Sequence, residues 1–481
     1  SPGRPIPKGP KIPLPALPLT CSTPRRPSMK TALLALLPIS LLVGCVRGPS
    51  GFAAQAPESL ALRGSYQATP APVPRIANNL LDLFDNAQLR SLVRSALSNN
   101  PDLRLSLMRL EEAGFNTRQA NAARTPTLTG NASASRSDTP LRSESTLSEA
   151  SLDARWELDV WGRIRAGVSA SAADQAAAAA DHAAARQSIA AQTMQAWFNL
   201  AASEDFLALS RRRLASFEQT ERSVSRRRDE GRASLADLEL TRSDTSNARA
   251  DLEARRDQRD QAARTLNALA GAYPTADYNT RGGWPSLKRT LRAGIPSDLL
   301  RQRPDIDAAF QRIRAADARV QVAHADLFPS FALTASGGQS SSVLSDLARH
   351  GFSSWSVLGS LSQPLFDGGQ RRAELGAAGK RAGQNYQHYR ATVLNALREV
   401  ENALGSERYL RTEEAARLQA FAAARSAEAR TRRDFEAGIT ELLNLLLAQR
   451  QVFATEERTI ILRAARLTNR VTLALALGKG L

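Results

Sequence analysis

Two stretches without a proline, Gly162 to about Arg228 and Gly369 to about Arg433, decide what this chain can become. Both are rich in alanine and poor in glycine, so nothing in either breaks a helix. At 1.5 Å per residue, each predicts a rod of roughly 100 Å. No compact domain of 481 residues contains such a rod. The rods must therefore pack against rods like themselves. The alanine-rich run Ser169 to Ala185 lets neighbouring helices approach closely, and Leu200, Phe206, Leu209 and Leu214 supply an apolar stripe.

The chain also repeats itself. Asn100-Pro101-Asp102-Leu103 returns 203 residues later as Arg303-Pro304-Asp305-Ile306, and Leu110, Ala113, Pro126 and Leu128 return at the same offset as Ile313, Ala316, Pro329 and Phe331. Farther on the offset is 207: Leu158 and Gly162 match Leu365 and Gly369, and Gly231, Leu235 and Leu238 match Gly438, Leu442 and Leu445. One small length change, in the hairpin region, reconciles the two offsets. The expected units are residues 86–283 and 284–481, each ordered as helix, two strands, long helix, helix.

Within each unit the hydrophobic period switches. Pro101 to Arg124 reads as a helix, with Leu103, Leu107, Leu110 and Ala113 on one face, and Pro126 ends it. Leu128, Gly130, Ala132 and Ala134 then alternate with polar residues. After a polar loop, so do Leu152, Ala154, Trp156, Leu158 and Val160. The second unit repeats this with Phe331, Leu333, Ala335 and Gly337, then Trp355, Val357, Gly359 and Leu361. Period two over about ten residues predicts strands with lipid on one face and water on the other. Four such strands with open edges cannot sit in hydrocarbon, because their unpaired N–H and C=O groups would have no partner. Three copies would close a barrel of twelve.

The start of the chain reads as an address. Residues 1–28 look like sequence upstream of a natural start at Met29, and residues 29–44 like a signal peptide, with Lys30 before the apolar run Ala32 to Val43. Leu42-Val43-Gly44-Cys45 then predicts lipid on Cys45, followed by a linker over residues 45–85. That covalent lipid is the only non-protein group expected; no cofactor is.

The formal charge of +17 raises the question of nucleic acid, which we do not expect as a partner. The basic residues alternate with acids at helical spacing, as in Arg211 to Arg213, Arg226 to Arg228 and Arg255 to Arg259, and no aromatic-interleaved basic patch occurs. No metal site is expected from four distant histidines, His182, His324, His350 and His388. No catalytic residue is expected either, since no triad, phosphate loop or paired carboxylates stand out. A soluble coiled-coil scaffold would share the alanine and the helices, but not the alternating strands.

Several stretches resemble the outer membrane factor family, the TolC- and OprM-like ducts with their NodT-type lipoproteins. They are Trp156-Glu157-Leu158-Asp159-Val160-Trp161-Gly162-Arg163, Gly294-Ile295-Pro296-Ser297-Asp298-Leu299-Leu300-Arg301-Gln302-Arg303-Pro304-Asp305-Ile306, Phe328-Pro329-Ser330 and Gln363-Pro364-Leu365-Phe366-Asp367-Gly368-Gly369. The resemblance covers about Leu80 to Gly478. It implies a mainly α fold with a membrane β portion: a 12-stranded trimeric β-barrel in the outer membrane, continuous with a periplasmic α-barrel. It also implies a homotrimer held in outer-membrane lipid, a periplasmic adaptor and an inner-membrane transporter of the RND type. The duct itself would be passive, serving efflux of small molecules. A type I protein secretion duct is the alternative.

The gate is expected at the far tip, where Gly231 and Gly438 turn the rods back. By resemblance, Asp237 stands where an acid links to an aromatic hydroxyl, and the aromatic position holds Phe435, which has none. Thr440 stands where an arginine helps hold the closed state, and Asn444 and Leu447 where acids form the constriction. Arg232, Thr440 and Glu441 are the expected adaptor contacts.

Overall fold

The computed structural model describes residues 51–56, 62, 65–67, 79–139, 142–280, 283–286, 296–343 and 354–480. The expected start at Met29, the signal peptide and Cys45 lie outside the described residues. The elements are α1 (Phe52–Gln55), α2 (Ala87–Asn99), α3 (Pro101–Ala122), β1 (Thr127–Thr139), β2 (Arg142–Leu158), α4 (Arg163–Asp229), α5 (Leu235–Leu269), α6 (Leu299–Gln302), α7 (Pro304–Ala325), β3 (Ser330–Ser341), β4 (Ser354–Ser362), α8 (Gln370–Glu436) and α9 (Leu442–Ala476).

Helix lengths carry the repeat. α3 and α7 have 22 residues each, α4 and α8 have 67, and α5 and α9 have 35. Among the described residues, the counterparts of α2, which has 13 residues, are a 3₁₀ turn, Pro296–Asp298, and the 4 residues of α6.

The recurring Asn/Arg-Pro-Asp motif has a mechanical reason. Proline at the first helical position costs no hydrogen bond, and Asn100 caps α3 by accepting from the amides of Asp102 and Leu103. Its Nδ2 also donates to the carbonyl of Leu269 at the end of α5, at 3.0 Å. In the second half Arg303 takes over, donating to the carbonyl of Ala476 at 3.0 Å, to Glu399 at 2.7 Å and to Asp305 at 2.7 Å. These acids hold the Arg303 guanidinium above its ordinary pKa even though burial opposes its charge. Each long hairpin is thus tied back to the helix that begins its repeat.

The main core lies at this level, where Phe84, Trp197, Phe198, Leu266, Ile306, Val393 and Val471 are buried together. Near it the chain's N-terminal stretch docks on α7: the amides of Phe52 and Ala53 donate to the Asp317 carboxylate at 3.1 and 2.8 Å, and the Phe52 ring lies 5.5 Å from that of Tyr386 on α8.

The four strands form one antiparallel sheet in the order β1-β2-β3-β4. Leu128 pairs with Ala154, Ala154 with Ala335, and Ala335 with Val357; the next row runs Gly130, Leu152, Gly337, Trp355. Directly paired residues share a face, so one face is apolar across all four strands and uncovered: Leu128 is 71 % exposed and Trp355 81 %. The other face carries Asn131, Asp153, Ser336 and Ser356, joined by hydrogen bonds of 2.6 Å from Asn131 to Asp153 and 2.8 Å between the two serines.

β1, β2 and β3 run past the expected ten residues, and the expected polar loop between the first two is itself strand, up to Thr139 and again from Arg142. Alternation disappears there because both faces are polar, yet the ladder continues. Val160 falls just beyond the end of β2. No helix among the described residues is long and apolar enough to cross a membrane, which says nothing of the sheet.

Candidate functional site at the tip of the long helices

The rods end about 100 Å from the sheet, at 1.5 Å per residue over 67 residues. Gly231 and Gly438 turn them back, with φ of 73° and 78°. The two turns are built alike. Arg232 N–H reaches the Arg227 carbonyl at 2.7 Å and Gly231 N–H the Arg228 carbonyl at 2.8 Å, and Ile439 and Gly438 reach Asp434 and Phe435 at 2.8 and 3.0 Å. This paired closure needs a left-handed residue, which glycine supplies without a steric penalty.

Asp237 lies in the first turn of α5 and completes a capping box. It accepts from the Ser234 amide at 3.0 Å and hydroxyl at 2.8 Å, while its own amide donates to the Ser234 hydroxyl at 3.0 Å. The acid therefore has a local task, worth about 1 kcal/mol for such a cap, besides any link across a trimer axis. The second turn lacks this device: Glu441 stands at the N-cap of α9, exposed, with no side-chain cap. Thr440 instead accepts from Asn444 at 3.0 Å. Asn444 and Leu447 are exposed on the α9 surface, and Arg232 is exposed with Glu230 at 3.5 Å.

Phe435 is buried. Its ring is 4 % exposed and packs with Phe217, Val224, Leu238, Leu442, Leu445 and Leu446. Within the chain it is part of the core of the tip. Without a hydroxyl it has no polar atom to bring to a surface, and burial of the ring follows. The structure thus brings Phe435 and the two turns together through α4 and α8, while Thr440 and Asn444 sit together on the second hairpin and Asp237 stands apart from them on the first.

Two features escaped the sequence reading. Arg227 lies over the Phe435 ring, 4.1 Å from its centre, and donates to the carbonyls of Phe435 and Glu436, the latter at 3.1 Å. A cation on the terminal carbonyls of another helix is favoured by the helix dipole. The only available signal was the Arg226 to Arg228 run at a helix end. Higher up, buried Gln449 donates to the hydroxyls of Ser216 and Thr220 at 3.1 and 2.9 Å, and Arg432 donates to Ser216 at 2.9 Å. α4, α8 and α9 are thereby joined by polar bonds as well as by the apolar cluster.

Arg227→Ala removes one aromatic contact and two charge-assisted hydrogen bonds, which together contribute at least about 2 kcal/mol. Amides around residues 437–441 are expected to exchange with deuterium at least about tenfold faster in this variant, and unchanged in Arg226→Ala.

The family model described as outer membrane efflux protein matches residues 92–272 and 295–479. The outer membrane protein OprJ of Pseudomonas aeruginosa is 35 % identical over 410 residues, 82 % of this chain and 85 % of OprJ. The cation efflux system protein CusC of Escherichia coli K12 is 30 % identical over 464 residues, 92 % of this chain and all of CusC. The solved structure of the outer-membrane channel OprN superposes with a TM-score of 0.82 at 28 % identity, covering 90 % of this chain and 99 % of that one.

Proposed function

The chain belongs to the outer membrane efflux protein family, and on that premise we propose that it is the trimeric exit duct of a tripartite efflux pump. It is an outer-membrane efflux channel, with the mainly helical, four-stranded fold of its relatives. The observation that carries the trimer is the sheet: among the described residues, one apolar face is left bare and the two edge strands, β1 and β4, have no further strand beside them. In hydrocarbon both must be satisfied, and three copies supply twelve strands, a number within the range of outer-membrane barrels. The rods then continue that ring into the periplasm.

In this reading the duct is passive. A periplasmic adaptor meets Arg232, Thr440 and Glu441 at the tip, and an inner-membrane transporter of the RND type supplies the energy. Cys45 carries lipid. Small-molecule cargo is favoured over secreted protein by relatives such as the cation efflux system protein CusC. The test is direct: the detergent-extracted protein is expected to have the mass of a trimer and to conduct in planar bilayers. A stable monomer ends the proposal.

We place the closed gate at the tip, with Asp237 as its main polar group. Loss of a charge-assisted link is worth about 1.5 to 3 kcal/mol, enough to raise the open population at least about tenfold. Asp237→Asn, which can still accept from the Ser234 amide, is expected to raise closed-state conductance. Ser234→Ala, which removes the cap but keeps the charge, is expected to leave it alone. Equal conductance of Asp237→Asn and the parent protein rejects this placement.

A further inference from the structure

The internal repeat dictates how the two free edges meet. Resting on the trimeric reading above, we propose that β4 pairs with β1 of the partner subunit in one register, Leu361 opposite Ala132 of the partner subunit and Leu365 opposite Leu128 of the partner subunit.

The argument uses registers within one chain. Leu128 pairs with Ala154 in the first hairpin and Phe331 with Leu361 in the second. The first partners are separated by the 203-residue offset and the second by 207, so the hairpins correspond residue for residue. The whole length change therefore sits in the loop between the strands of each hairpin. The β2–β3 pairing shows how one hairpin meets the next: Leu158 faces Phe331, Ala154 faces Ala335 and Leu152 faces Gly337. Moving β2 onto β4 and β3 onto β1 by the same offsets sets Leu365 opposite Leu128, Leu361 opposite Ala132 and Gly359 opposite Ala134.

Two observations support this assignment independently. The two pairs within the strands, Leu361 with Ala132 and Gly359 with Ala134, lie on the apolar face, whereas a slip by one residue would turn β1 over and bring Asn131 or Ser133 against Leu361. The residues left over in one protomer also match. Leu158 finds Phe331 within the chain, but its counterpart Leu365 is 96 % exposed beyond the end of β4, and Leu128 on the opposite edge is 71 % exposed. The register gives each the other.

Opposed residues have Cβ atoms about 4.5 to 5.5 Å apart, within a small backbone adjustment of the roughly 3.5 to 4.5 Å that a disulfide spans, whereas a two-residue slip opens the distance to about 7 to 8 Å, out of reach. The full-length protein carrying Leu361→Cys and Ala132→Cys, oxidised with copper phenanthroline in outer membranes, is expected to run as covalent dimer and trimer that dithiothreitol reverses. Leu365→Cys with Leu128→Cys should do the same. Leu361→Cys with Gly130→Cys or Ala134→Cys should stay uncrosslinked. A trimer by mass that crosslinks only in a slipped pair, or in no pair, overturns the register alone. A monomer by mass overturns the trimeric reading and the register with it.

Discussion

Gly478→Ala lowers the heat-dissociation temperature of the assembled protein sharply, whereas Gly231→Ala lowers it little. Both glycines have left-handed backbones, with φ of 66° and 73°, and an alanine there costs about 1 to 2 kcal/mol. Their surroundings decide the rest. A Cβ on Gly478 would lie 2.7 Å from the carbonyl carbon and oxygen of Gln302, and backbone cannot swing aside; on Gly231 it would meet nothing within 4 Å. The overpacking adds about 1 to 3 kcal/mol, so the first variant loses about 2 to 5 kcal/mol per protomer. Gly271, its repeat mate, would place a Cβ 2.5 Å from the Asn99 carbonyl oxygen and should behave like Gly478. Equal melting of the Gly478 and Gly231 variants would show that the close approach between the turn after α9 and the end of α6 is not maintained.

Val357→Arg removes the protein from the outer-membrane fraction, while Ser356→Arg, one residue away on the same strand, leaves it there. Val357 belongs to the apolar row with Ala335 and Ala154, and Ser356 to the polar row with Ser336. An arginine on the lipid face near the middle of a barrel costs about 2 to 4 kcal/mol, and a trimer bears that cost three times. On the water face the guanidinium stays hydrated. Fractionation followed by immunoblotting reads the difference, and equal retention of the two variants would mean that the apolar face is not the one in contact with lipid.

The large features were legible before any coordinates because they are periodic. Proline-free alanine runs specify long helices by local propensity, and alternation specifies which face of a strand is wet. The repeat also located its own length change. What could not be read depends on contacts between distant elements. Nothing in the local sequence says that Phe435 turns inward against Phe217 rather than outward, or that Arg227 closes over it. Asp237 reads equally well as a cap or as a link, and here its capping role is explicit. The first two strands outran their predicted ends because polar residues on both faces erase alternation without breaking the ladder.

The clasp of Asp317 on the amides of Phe52 and Ala53 joins a stretch that precedes the first repeat to a helix of the second. The two partners of the Ala53 bond lie 264 residues apart in the chain. α1 therefore has no seat until α7 has formed, so the segment made early in synthesis is among the last to settle.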